Sequence, residues 1–118
     1  MVRSSCLFLL PLLLSACDTG TDPCTEEARA GLSVLIREAG TDLPAAEDAA
    51  VVAGKGAFTE ALAPLDSLRF YGLFERPGVY RITVTKPGYG VFDTSGVRVE
   101  ADRCHVELTT ITVRLQPE

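Results

Sequence analysis

Arg76-Pro77-Gly78-Val79-Tyr80-Arg81-Ile82-Thr83-Val84-Thr85-Lys86-Pro87-Gly88-Tyr89 is the stretch that decides the fold. Between its two Pro-Gly pairs the residues alternate, with Tyr80, Ile82 and Val84 on one face. A period of two is that of a half-buried strand. Pro followed by Gly suits a type II turn, since Pro presets the first central position and Gly accepts the positive φ of the second. The stretch therefore predicts one strand with a turn at each end.

The same pattern continues outward. Gly54-Lys55-Gly56, between residues 49–53 and 57–63, predicts a hairpin. Val91-Phe92 and residues 97–99 predict a pair of strands around Asp93-Thr94-Ser95-Gly96. A last strand is expected over residues 104–115. Its apolar parity flips at Thr109-Thr110, which predicts a bulge or a change of sheet there. Residues 28–39 fit two periods. Ala28, Leu32, Leu35, Ile36 and Ala39 make a helical stripe, whereas Ala30, Leu32, Val34 and Ile36 make a strand face. Gly31 costs a helix interior about 1 kcal/mol, and the β character downstream favours the strand. Six to seven short strands separated by Gly/Pro turns predict an all-β chain. The expected fold is a single antiparallel β-sandwich of six to seven strands, Ig-like, over residues 28–118.

Composition excludes more than it identifies. The chain has 118 residues, 11 basic and 16 acidic, for a formal charge of −5. That balance gives no electrostatic reason to bind nucleic acid or anionic headgroups. There is no Trp to serve as a sugar-stacking platform and no Asn to form a Lys–Asn isopeptide bond.

The N-terminus carries an address. Arg3 precedes a short apolar run over residues 7–14, and small residues follow, in the order of a secretory signal. The run is too short to span a membrane. Leu14-Ser15-Ala16-Cys17 resembles the lipobox of bacterial lipoproteins. The resemblance implies a signal peptide at residues 1–16 and acylation of Cys17, for example with palmitate. Residues 17–27 would then form a lipidated tether, in a protein held to a membrane of the bacterial cell envelope. Firm anchoring needs more than one acyl chain, which lipobox cysteines resemble in carrying. Loss of Arg3 with the signal leaves 10 basic against 16 acidic residues, or −6.

With Cys6 removed and Cys17 acylated, Cys24 and Cys104 remain as an even pair in an oxidising setting, and a disulfide is expected. Two free thiols, or a metal site using Cys104 and His105, are the alternatives. Neighbouring residues on a strand point to opposite faces, which disfavours the metal site.

Three segments carry a second resemblance: Gly56-Ala57-Phe58-Thr59-Glu60, residues 76–84, and Lys86-Pro87-Gly88-Tyr89. Together they are similar to the carboxypeptidase regulatory-like domain. This implies a prealbumin-like sandwich and leaves function open, because such folds host many activities.

No constellation identifies a reaction. His105 is the only histidine, no Ser sits in a G-x-S-x-G elbow, and His105 is expected to be an ordinary strand residue. Glu26-Glu27, Glu47-Asp48 and Glu100-x-Asp102 match no calcium loop. No catalytic residue, metal site or cofactor is therefore expected. The chain reads as a monomeric, non-catalytic interaction or structural module with an envelope protein as partner. The alternative is a small-ligand or carbohydrate carrier using the aromatic stretch Phe70-Tyr71-Gly72-Leu73-Phe74.

Overall fold

A computed structural model of the chain describes residues 24–118. The signal-like run, Cys17 and most of the expected tether lie outside the described residues. Strands β1 (Leu32–Glu38), β2 (Ala50–Lys55), β3 (Phe58–Ala61), β4 (Ala63–Pro64), β5 (Arg69–Gly72), β6 (Gly78–Thr85), β7 (Phe92–Val99) and β8 (Thr109–Leu115) follow in order. The described residues contain no helix. Two four-stranded sheets result, ordered β8-β1-β5-β4 and β3-β2-β6-β7. Leu32, Val34 and Ile36 of β1 and Val113 and Leu115 of β8 share one buried cluster with Val51 and Ala53 of β2 and Tyr80, Ile82 and Val84 of β6. The architecture is thus all-β and sandwich-like, and residues 32–38 form a strand.

Four details correct the expectation. There are eight strands among the described residues, not six or seven: the expected strand over 57–63 breaks at Leu62, and Arg69–Gly72, not expected as a strand, forms β5. The Leu62 side chain is buried and its N–H donates to Val51 O at 2.9 Å. β3 before it pairs with β2, whereas β4 after it pairs with β5 in the other sheet. The sheets are not wholly antiparallel either. β8 runs parallel to β1, from Thr109↔Leu32 to Leu115↔Glu38. Most of the chain lies between these strands, ample length for the long connection that parallel pairing needs.

The third correction concerns residues 91–99, expected as two strands. Residues 92–99 form the single strand β7, in which Thr94 faces Ile82 but Val97 faces Tyr80, so β7 holds one extra residue. Gly96, at φ +77°, accommodates that bulge. Lastly, the final strand begins at Thr109 rather than at residue 104. Val106 bridges Ala101, and Thr109 N–H then donates to Gly31 O beside β1. The parity flip marks this passage from one set of neighbours to another.

The turns around β6 differ from each other. Tyr89 N–H donates to Lys86 O at 3.1 Å across Pro87 and Gly88, with Gly88 at φ +83°, as the Pro-Gly pair predicts. At the other end the turn forms earlier, with Arg76 N–H on Leu73 O at 3.3 Å. There Leu73 and Glu75 adopt positive φ, +57° and +51°. Tyr80 is buried and its hydroxyl donates to Arg76 O at 2.9 Å, which fixes the chain after that turn.

Gly31 lies where the first strand meets this turn. A Cβ there would stand 2.6 Å from Val99 Cγ1 and 2.8 Å from the Leu73 carbonyl oxygen. The Gly31→Ala chain is therefore expected to lose about 2 kcal/mol through overpacking. Urea unfolding checks this, and an unchanged midpoint would contradict it.

Candidate functional site

The richest polar cluster lies at the end of the sandwich where the chain enters. Cys24 is joined to Cys104, with their Cα atoms 5.2 Å apart and a sequence separation of 80. Asp102 shapes the loop that carries Cys104. Its Oδ1 accepts the N–H groups of Cys104 at 2.8 Å and His105 at 2.9 Å. Such Asx turns bend the backbone locally, and this one directs the His105 ring inward. His105 is therefore a buried loop residue, 8% exposed, and not the strand residue expected.

Both ring nitrogens are engaged. Nε2 lies 2.8 Å from Thr25 Oγ1, and Nδ1 lies 2.5 Å from Glu75 Oε2. Glu75 Oε2 also accepts Arg29 N–H at 2.9 Å, while Oε1 accepts Val106 N–H at 3.1 Å. In return, Glu75 N–H donates to Arg29 O at 3.0 Å. One carboxylate at the left-handed turn position thus ties the entering segment to the loop of His105. The hydrogen bond from His105 holds the Glu75 carboxyl below its ordinary range, against desolvation. The backbone N–H groups of His105 and Cys104 do the same for Asp102.

An open cleft of about 440 Å³ borders the cluster, with Thr25, Glu26, Glu27, Glu75, Asp102 and His105 in its wall. Hydroxyl, imidazole and carboxylate in this order have the connectivity of a hydrolytic triad. Acyl transfer also needs N–H donors aimed at a developing oxyanion. Here the amides of Arg29 and Val106 are spent on Glu75, and those of Cys104 and His105 on Asp102. Four carboxylates line the same cleft against one guanidinium, Arg103, a balance that opposes a developing negative charge. The arrangement fastens the entering segment to the loop of His105.

Of the other acidic candidates, Glu26, Glu27 and Asp102 stand in the wall of this cleft, whereas Glu47, Asp48 and Glu100 do not. Glu27 pairs with Arg29 at 2.8 Å and Glu100 with Arg98 at 3.7 Å. The carbonyl oxygen of Glu47 accepts Lys86 Nζ. Among the described residues, no group of three His, Cys, Asp or Glu side chains could hold a metal ion. The aromatic stretch is divided by the fold. Phe70 and Leu73 are buried in the core, Tyr71 is half-buried on the opposite face of β5, and Phe74 is exposed at the turn. The four clefts described on this surface have other linings. Sequence reasoning missed Thr25 and Glu75. Neither has a local signal, because each acquires its role from His105, 80 and 30 residues away.

Comparison with protein-family models and with curated proteins gives no match.

Proposed function

We propose that the chain is a lipid-anchored protein of the bacterial cell envelope whose β-sandwich is a non-catalytic interaction or structural module working close to the membrane. The observation that carries this reading is the fastening of the entering segment. Cys24 is bonded covalently to the domain, Thr25 is hydrogen-bonded to it, and only residues 18–23 separate Cys24 from the lipobox Cys17. A lipid on Cys17 would therefore leave little free tether. A disulfide also suits the oxidising compartment that an export signal implies. The engaged amides around His105 support the non-catalytic part of the reading.

The finer fold assignment, a prealbumin-like domain similar to the carboxypeptidase regulatory-like family, belongs to the same proposal. It is supported by two four-stranded sheets around one core and by the Pro-Gly turn with Gly88 at φ +83° after β6. The test is fractionation. The wild-type chain is expected in the membrane fraction and the Cys17→Ser chain in the soluble fraction. A Cys17→Ser chain that stays with the membrane would overturn the anchor.

A further inference from the structure

The outward face of sheet β8-β1-β5-β4 concentrates positive charge in an acidic chain. The β1 residues Leu32, Val34 and Ile36 point into the core, so Ser33, Leu35 and Arg37 point out. Register sets Arg114 of β8 directly beside Arg37, and Arg69 of β5 directly beside Leu35. Adjacent strands are about 4.8 Å apart, and the diagonal from Arg37 to Arg69 spans about 7–8 Å. Three guanidinium side chains therefore share one patch.

Like charges placed this way repel unless an anion joins them. Asp42 supplies one charge. Its Oδ1 accepts Arg114 Nε at 2.8 Å and its backbone oxygen accepts Arg37 Nη1 at 2.9 Å. Asp66 lies near Arg69, but its Oδ1 is taken by the N–H groups of Leu68 and Arg69. Arg69 Nε is buried without a hydrogen-bond partner, and so is Ser33 Oγ on the same face. Between the arginines lie half-buried Leu35 and, further along, Tyr71. None of the four clefts described borders these residues.

We propose that this face docks an acidic polysaccharide. Guanidinium forks match carboxylates in a bidentate way. A polymer with an acid on each sugar meets several of them at once without needing a pocket, and its C–H faces can rest on Leu35 and Tyr71. The proposal deepens the interaction-module reading and rests on it. Its test is nevertheless separate, because anchoring through Cys17 is read by fractionation and not by binding.

The experiment titrates the full-length chain, in a non-ionic detergent at low salt, with labelled polygalacturonate. Wild type is expected to bind, and the Arg37→Ala/Arg69→Ala/Arg114→Ala chain to bind at least tenfold more weakly. Lys55→Ala, on the other sheet, should change nothing. Because Arg69 is half-buried, an Arg37→Gln/Arg114→Gln chain carries the test if the triple variant unfolds, with at least fivefold weaker binding expected. Three results would overturn the proposal: no wild-type binding, equal binding by a folded variant, or equally tight binding of poly-L-glutamate.

Discussion

Replacing Cys24 and Cys104 together by serine is expected to lower the unfolding free energy by up to about 4.5 kcal/mol, the loop-entropy cost of releasing an 80-residue loop. A domain of this size has on the order of 5–15 kcal/mol in total, so the variant should fold only marginally. Its thermal midpoint should fall by roughly 20 °C, at a few degrees per kcal/mol. The bond joins the entering segment, which is not part of a sheet, to the loop before β8. Its contribution therefore cannot be replaced by strand pairing. Urea unfolding of the oxidised wild type against the double variant checks this. A midpoint shift under 1 M would show that the bridge is incidental to the fold.

The second large effect is expected at His105. Its ring lies within hydrogen-bonding distance of both Thr25 and Glu75. His105→Ala removes two hydrogen bonds, one of them to a carboxylate, and leaves a void where a buried ring stood. A loss of about 3 kcal/mol follows from bonds and burial of this kind. The same variant should change the acid profile. The Glu75 carboxyl is held below its ordinary value of 4.5, first by His105, so its ionised form is favoured by folding. Stability from a depressed carboxyl is present above the unfolded value and is lost as pH falls through the lower folded one. Wild type should therefore lose stability steadily below about pH 4.5, and His105→Ala less steeply over the same interval. Asp102 follows the same sign through its two backbone N–H bonds, and its share should survive the substitution in part. Equal acid profiles would mean that His105 does not organise this end of the domain.

The strand periods were legible because each depends on neighbours in sequence. Tyr80, Ile82 and Val84 face the core as their alternation requires, and Pro87-Gly88 turns as its residues dictate. Leu62 was not legible as a break, since a sheet crossing is decided by which strands lie on either side and not by local propensity. The β7 bulge at Gly96 was misread as a turn because a glycine among short polar residues serves equally well in both. The parallel β1–β8 pair joins distant segments and leaves no short-range trace. At the candidate site, the Cys24–Cys104 pair could be reached by counting cysteines. The Thr25–His105–Glu75 chain could not, because an isolated Glu beside a turn looks like any solvated charge. The same holds for the arginine face. Arg37, Arg69 and Arg114 are dispersed in sequence and meet only through register.

The proposed lipid anchor on Cys17, with the short tether it implies, is the central claim. Intact mass of the chain extracted from membranes under non-reducing conditions tests it most directly. The expected chain begins at Cys17, carries added acyl mass on that residue, and gains 2 Da on reduction of the Cys24–Cys104 bridge, by the two hydrogens that thiol formation requires. A chain that retains residues 1–16, or an unmodified Cys17 thiol, would contradict it.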